Sequence, residues 1–258
     1  MWKRLRIAIL AYVLIFVAAD QYLTARASKD WAVSLSVDIY CVAGDDTQST
    51  REYLDKLSAA EFKHIETFFA EQAHAFGVAL EQPFRLNLRA RIDQPLPQPP
   101  ATPAYLDTII WSLQMRWRAL TLRWQEPEGA ADIIVFAVFH DGTASPMLDR
   151  STALPKGLIA VVNLFADRAA HGSNQVVLAH ELLHVLGATD KYEPVSNIPR
   201  FPEGFAAPNA VPLFPQSAAE LMAGRIAIGK TRAEIPASLA QVVIGRVTAA
   251  EIGWVRRD

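Results

Sequence analysis

The chain contains 258 residues, which is enough for one large domain or two small ones with a substantial core. Its 25 Lys and Arg residues nearly balance 27 Asp and Glu residues, so the composition lacks the basic excess of nucleic-acid-binding proteins. The sequence therefore predicts no nucleic-acid partner. Cys41 is the only cysteine, which excludes an intramolecular disulfide and predicts a buried apolar side chain.

The first 27 residues are predicted to be a signal peptide or an N-terminal membrane anchor. Lys3, Arg4 and Arg6 precede an apolar run over residues 7–19. Thirteen apolar residues suit the core of a signal peptide better than a transmembrane helix, which needs roughly 20. An uncleaved anchor with its basic end in the cytoplasm is the alternative. Under either interpretation the protein is exported, and it is secreted, periplasmic or held at the cytoplasmic membrane through residues 7–19.

Hydrophobic periodicity predicts a mixture of strands and helices through the rest of the chain. The predicted strands cover residues 32–40, 78–92, 132–140 and 158–165. Helices are predicted over about 47–56 and 58–76 and near the C-terminus, with capping boxes at Ser58 and Thr248 opening the second and the last of these.

Residues 95–124 are interpreted as an insertion that consists of a proline-rich loop and a helix. Five prolines occur between Pro95 and Pro103, which excludes regular structure there. The helix is predicted over residues 104–124, with an apolar stripe formed by Ile110, Leu113, Trp117, Leu120 and Trp124. This spacing favours a face packed on the domain core. Contact with a membrane surface is the less favoured alternative, because arginines beside Trp and Leu suit the interface.

One short stretch predicts a catalytic site: residues 180–184 have the sequence H-E-L-L-H. On a helix, residues four apart lie on one face, so His180 and His184 can offer two imidazoles to one metal ion. Glu181 can then reach a water molecule on that ion and take its proton. This is the H-E-x-x-H pattern of zinc peptidases.

A third ligand is expected downstream of this helix. The helix is predicted to begin with a cap at Ser173 or Asn174 and to end at Gly187. A catalytic zinc usually takes three protein ligands and leaves a fourth position to water. If the chain reverses at Gly187, Asp190 can return to the metal. Glu220 is the alternative third ligand, because the thermolysin-like enzymes take theirs from a glutamate well downstream.

Residues 180–190, H-E-L-L-H-V-L-G-A-T-D, resemble the signature of the metzincin peptidases, H-E-x-x-H-x-x-G-x-x-H. Asp190 replaces the usual third histidine, as in snapalysin-like members of that group. The resemblance implies that His180, His184 and Asp190 bind zinc and that Glu181 is the general base.

Metzincins also carry a methionine in a turn beneath the metal, and the resemblance implies this role for Met222, with Gly187 as the turn before the third ligand. Several members place a tyrosine two residues after this methionine, where this chain has Gly224. Tyr192, two residues after Asp190, is a candidate replacement as transition-state donor, with a packing role as the alternative.

Together these features predict an α+β fold of zincin or metzincin type, with a mixed twisted sheet, an active-site helix and an irregular lower subdomain. Residues 28–258 are predicted to form the catalytic domain. The predicted function is a zinc-dependent peptidase that hydrolyses peptide or protein substrates with Glu181 as general base. The alternative is a non-catalytic zinc-binding or envelope-assembly protein on a peptidase scaffold.

Overall fold

A five-stranded mixed sheet forms the centre of the fold. The computed structural model describes residues 2, 6, 28–100, 105–125, 129–145 and 147–255. The sheet consists of β1 (Leu35–Ala43), β2 (Phe84–Leu88), β3 (Ile133–His140), β4 (Thr152–Leu154) and β5 (Ile159–Phe165). The strands lie in the order β2-β1-β3-β5-β4. Neighbouring strands run parallel except at one edge, where β4 pairs antiparallel with β5.

The sheet is covered on both faces, because successive residues of its central strands enter two separate cores. On β3, Ile133 and Val135 face one core, whereas Ile134 and Phe136 face the other, and all four are almost inaccessible to solvent. A strand buried on both faces has a continuous apolar sequence, as this one does. Cys41 on β1 is buried as predicted, and burial raises the pKa of its thiol to about 12.

Helices lie on both faces of this sheet, which confirms the predicted α+β class. Within the described residues the helices are α1 (Gln48–Asp55), α2 (Lys63–Ala75), α3 (Tyr105–Gln125), α4 (His171–Val185) and α5 (Arg246–Glu251). The larger core joins one face to α1, α2, α4 and α5. Phe69 of α2 lies at its centre, with ring centroids 4.5 Å from Phe84 and 6.5 Å from Trp254. The smaller core joins the other face to α3 alone.

The orientation of α3 differs from the prediction. Its buried residues are Trp111, Met115, Ala119 and Leu122, which recur at helical spacing and pack against the sheet. The stripe predicted to face the core points outward instead: Leu113 is 56% exposed and Trp117 is 62% exposed. Because both faces of this helix are apolar, periodicity alone does not select the buried one.

The chain after α4 forms the predicted irregular part, which contains six prolines between Pro194 and Pro215. No named helix or strand falls within residues 186–218, which are all described. Four short strands follow: β6 (Ala219–Glu220), β7 (Ile226–Gly229), β8 (Arg232–Glu234) and β9 (Val242–Val243). β6 pairs with β9 and β7 pairs with β8, so this part is tied together separately from the main sheet.

The predicted helix caps are wrong, although the helices themselves are present. α4 begins at His171 and has no side-chain cap, so neither Ser173 nor Asn174 opens it. Ser58 makes no capping hydrogen bond, and a 3₁₀ turn over Ala59–Phe62 precedes α2. Thr248 lies inside α5 and donates to the Glu220 carboxylate instead. Tertiary hydrogen bonds thus take two of the predicted capping side chains, those of Asn174 and Thr248.

The strand prediction for residues 78–92 is too long, because only Phe84–Leu88 pairs as a strand. The predicted export segment, residues 1–27, lies outside the described residues except at positions 2 and 6. Among the residues that the structure describes, no helix combines the length and the hydropathy that crossing a membrane requires. The assignment of residues 28–258 to one catalytic domain stays a prediction.

Asn174 provides a test of how α4 is fastened to the sheet. Its side-chain oxygen accepts from the Phe165 amide at 3.1 Å, and its amide nitrogen donates to the Phe165 carbonyl at 2.8 Å. Asn174→Ala leaves both backbone groups without these partners, so the free energy of unfolding should fall by about 1–3 kcal/mol. Urea unfolding measures this change. Asn209→Ala, at an exposed position, should change stability by less than about 0.5 kcal/mol; equal effects of the two substitutions would contradict the assignment.

Candidate metal centre

Helix α4 places His180 and His184 side by side on the wall of an open cleft. Their ring centroids are 4.6 Å apart, as expected for residues one helical turn apart. The opposite side of the helix is fixed in the larger core through Leu178 and Leu182, which are 1% and 0% exposed. Core packing therefore holds the helix rigidly beneath the two imidazoles.

Both imidazoles are oriented by backbone carbonyl groups. The Nδ1 atom of His180 lies 2.9 Å from the carbonyl oxygen of Leu221, and Nδ1 of His184 lies 2.8 Å from that of Ala188. A carbonyl oxygen only accepts, so each Nδ1 must carry the proton and donate it. In the neutral imidazole the Nε2 atom then has a free lone pair, which is the state of a metal ligand.

Asp190 returns to the two histidines as the predicted turn requires. Gly187 has φ +87°, a left-handed conformation that glycine adopts without strain, and the chain reverses there after α4 ends. One carboxylate oxygen of Asp190, Oδ1, lies 3.3 Å from Nε2 of His180 and 3.0 Å from Nε2 of His184. Three potential ligand atoms therefore meet at one point.

These three atoms fit a bound cation. Oδ1 of Asp190 is buried and has no hydrogen-bond donor of its own, because both Nδ1 protons are directed to carbonyl groups. Three lone pairs this close repel one another unless a proton or a metal ion lies between them. Zinc–nitrogen bonds of 2.0–2.1 Å in a tetrahedral site separate the ligand atoms by about 3.3–3.4 Å. The observed separations are close to that value, so the donor set fits zinc.

The charges of these side chains depend on one another. Burial alone would raise the pKa of Asp190, but the two imidazoles outweigh it and lower the pKa well below its usual range. Burial alone would lower the pKa of His184, and contact with the Asp190 carboxylate outweighs it and raises the pKa. The imidazole and the carboxylate thus favour each other's charged forms.

Glu181 stands next to this point and has the properties of a proton acceptor. The residue is only 8% exposed, and a carboxylate oxygen falls within 4.8 Å of ligand atoms of His180 and His184. Burial raises its pKa above the ordinary value for glutamate. A carboxylate with a raised pKa is a stronger base, which is the change that suits a general base.

The turn that contains Met222 supports the site from below. Met222 is fully buried, within a 3₁₀ turn over Leu221–Ala223 that follows β6. The carbonyl of Leu221 orients His180, as described above, and the carbonyl of Met222 accepts from the Lys191 amide at 2.9 Å. One turn thus fixes a histidine and the residue next to Asp190.

Glu220, the alternative third ligand, has another use. It is fully buried, and its carboxylate accepts hydrogen bonds from the amides of Ala223 and Gly245 and from the hydroxyl of Thr248. These bonds brace the Met222 turn and join it to α5. The groups that converge on the two histidines are therefore Glu181 and Asp190, and the geometry favours Asp190 as third ligand.

The sequence reasoning missed an ion pair that flanks Asp190. The Lys191 ammonium group lies 2.8 Å from the Glu251 carboxylate and is 1% exposed, and Glu251 also accepts from the amide and hydroxyl of Thr189. Thr189 and Lys191 are the two neighbours of Asp190, so α5 holds the ligand from both sides. Lys191 and Glu251 are 60 residues apart in the chain, so no local sequence pattern indicates that they pair.

Other predicted residues lie around the cleft or away from it. Tyr192 is half-buried on the cleft wall, and burial together with the Asp190 carboxylate raises its pKa. Gly224 lines the same cleft and has φ +67°. His171 starts α4 and lies 3.2 Å from Glu61, away from the three converging groups.

No family model and no curated protein matches this chain. Among solved structures, one described as "Structure of a chaperone-substrate complex" contains a chain that is similar to this one, with 15% sequence identity and a TM-score of 0.43. The similarity covers 85% of this chain but 33% of that one, so this chain spans about a third of its length. A TM-score of 0.43 does not establish a shared fold, and the function of that complex does not extend to this protein.

Metal content tests the three-ligand arrangement. The purified protein should contain about one zinc ion per chain by elemental analysis, and Asp190→Ala should weaken zinc binding by at least roughly tenfold because it removes a charged ligand. Glu220→Gln, which keeps the size of the buried side chain, should retain the metal. Zinc kept by the Asp190 variant but lost from the Glu220 variant would reverse the ligand assignment. Asp149→Ala is the matched control at an exposed aspartate.

Stability measurements test the Lys191–Glu251 pair. Glu251→Gln leaves the Lys191 charge buried without its partner, so the free energy of unfolding should fall by about 3 kcal/mol at neutral pH. Burial alone would raise the pKa of Glu251, but Lys191 and Thr189 outweigh it and lower the pKa below its ordinary 4.5. The stabilisation is therefore fully present above pH 4.5 and is lost as the pH falls through the lowered pKa. Urea unfolding across this range should show the two proteins converging in acid.

A second substitution separates charge burial from other effects of Glu251→Gln. Adding Lys191→Met removes the buried charge and should recover part of the lost stability, because an apolar side chain of similar length needs no ionic partner. A double variant no more stable than Glu251→Gln would exclude the unpaired charge as the cause. Glu203→Gln, at an exposed glutamate, controls for loss of a surface charge.

Proposed function

We propose that this protein is a zinc-dependent peptidase of the metzincin type. The observation that carries the proposal is the convergence of His180, His184 and Asp190 on one point beside the buried Glu181. Two imidazoles and a carboxylate also suit iron(II), but the i, i+4 histidines with an intervening glutamate are the zinc-peptidase pattern. The elemental analysis described above distinguishes the two metals.

The residues of the chain have distinct parts in this chemistry. When bound, a zinc ion polarises a carbonyl group and lowers the pKa of a coordinated water to about 7. Glu181 accepts a proton from the attacking water, since its raised pKa favours the protonated state, and then delivers that proton to the leaving amine. Backbone carbonyls of Leu221 and Ala188 keep the two imidazoles in the required tautomer throughout.

The shape of the cleft supports an extended peptide as substrate. Its upper wall includes Thr152 and Ala153 of β4, and its lower wall includes Ala223 and Arg225. β4 is the last strand of the sheet, paired on one side with β5 only. The other side of an edge strand offers free backbone groups to which an extended peptide can add as a further strand. A peptide bound in this way would cross the site between the two walls.

Gly224, which stands where several metzincins have a tyrosine, is compatible with this proposal. Gly224 carries no side chain that could act as a donor, but Tyr192 lines the cleft next to Asp190. We propose Tyr192 as the residue that stabilises the developing oxyanion. The proposed place of action is outside the cytoplasm, in agreement with the basic and apolar pattern of residues 1–19.

Replacing the base tests the proposed reaction. Glu181→Gln should keep zinc, because no ligand is changed, and should lower the rate of peptide hydrolysis roughly 10²–10⁴-fold. Cleavage of a labelled denatured protein and of a random peptide library, followed by mass spectrometry, measures both the rate and the products. Glu193→Gln, at an exposed glutamate of the lower part, should behave like the parent.

Two outcomes would reject the peptidase proposal. Hydrolysis by Glu181→Gln at the parental rate would exclude Glu181 as the base. A parent protein that binds zinc and cleaves neither substrate would support the non-catalytic zinc-binding or envelope-assembly function instead.

A further inference from the structure

The outward face of α3 is a continuous apolar surface. The residues Leu106, Ile110, Leu113, Trp117 and Trp124, named here the outer stripe, fall in one sector of the helix at about 100° per residue. Their exposed fractions lie between 53% and 70%. Single exposed apolar side chains are ordinary, whereas a contiguous set of large ones marks a surface that binds something apolar.

The border of the outer stripe is basic and aromatic. Arg116 and Arg123 follow one edge of it, and Tyr105 lies exposed at the first turn. The Arg123 guanidinium group donates to the carbonyls of Ala131, Asp132 and Gly157, which fixes a positive charge beside the apolar residues. Trp and Leu at the centre with Arg at the edge is the pattern of a helix that lies in a membrane interface, where nearby positive charge attracts anionic headgroups.

The path of the chain brings a membrane within reach of this helix. Arg123 binds the Asp132 carbonyl, and the Asp132 carboxylate accepts from the Ser36 amide at 2.9 Å. The C-terminal end of α3 therefore lies at the same end of the sheet as the start of β1, where the chain arrives from its N-terminal part. Residues 20–27, which separate the apolar run 7–19 from this body, span at most about 29 Å when extended.

We propose that the outer stripe of α3 is a membrane-contact surface that lies in the interfacial layer of a bilayer containing anionic lipids. α3 and α4 pack on opposite faces of the sheet. The candidate metal centre on α4 therefore lies on the far side of the sheet from the bilayer. The proposed membrane contact does not depend on the proposed catalytic reaction.

Fluorescence of the full chain in vesicles tests this surface. Leu113→Cys, labelled with an environment-sensitive nitrobenzoxadiazole dye, reports from the middle of the outer stripe, and Val195→Cys, labelled in the same way, reports from a position that is 90% exposed. The native Cys41 is buried and should not react. Vesicles contain three parts phosphatidylcholine to one part phosphatidylglycerol. Iodide quenches dyes in water, and brominated phosphatidylcholine quenches dyes in the bilayer.

We expect iodide quenching at position 113 to be at least about threefold weaker than at 195, with brominated lipid quenching only the dye at 113. Equal access of iodide to both dyes would overturn the proposal. A dye at 113 that is shielded from iodide but not quenched by brominated lipid would also overturn it, since a second copy or another protein would then cover the stripe.

A variant of the stripe itself provides the matched comparison. Ile110→Glu with Trp117→Glu, in the Leu113→Cys background, leaves residues 7–19 and the four buried residues of α3 unchanged. Iodide access at 113 should rise to the level of the Val195 control, with circular dichroism as in the parent. Shielding that persists in this folded variant would show that the outer stripe is not the contact and would reject the proposal.

Discussion

The convergence of three unprotonated ligand atoms is the constraint on which the rest of the site depends. Such an arrangement costs free energy without a cation, since the buried Oδ1 atom of Asp190 lies within 3.3 Å of both Nε2 atoms. The surrounding structure maintains it from three directions: α4 supplies the histidines, the turn at Gly187 returns Asp190, and the Met222 turn accepts hydrogen bonds from His180 and from the amide of Lys191. Each support is itself buried or hydrogen-bonded, so the ligands have little freedom to separate.

The division of the hydrophobic residues into two cores explains how the molecule combines a rigid site with an open cleft. The larger core fixes α2, α4 and α5 on one face of the sheet, and the smaller core fixes α3 on the other. α4 is buried over most of its circumference, and His180 and His184 lie on the remaining strip that lines the cleft. The short edge strand β4 then completes the cleft without covering it.

The parts of the site that depend on local geometry could be predicted from the sequence. The spacing of His180 and His184 determines their relative position on any helix, and Gly187 indicates where the chain can reverse. The link between Lys191 and Glu251 could not be predicted, because it depends on how α5 docks. The orientation of α3 was missed for another reason: both of its faces are apolar, so the sequence holds two equally good core stripes.

The ion pair between Lys191 and Glu251 has a consequence for how metal occupancy and folding influence each other. Docking of α5 positions Thr189 and Lys191, and these hold Asp190 at the metal point. Thermodynamic coupling between two sites is reciprocal. If docking of α5 improves metal binding by placing Asp190, metal binding must stabilise the docking of α5 by the same free energy. The helix α5 therefore contributes to the metal affinity of the site, although it supplies none of the three proposed ligands. Removal of a bound metal should therefore weaken the attachment of α5 to the segment that contains Asp190.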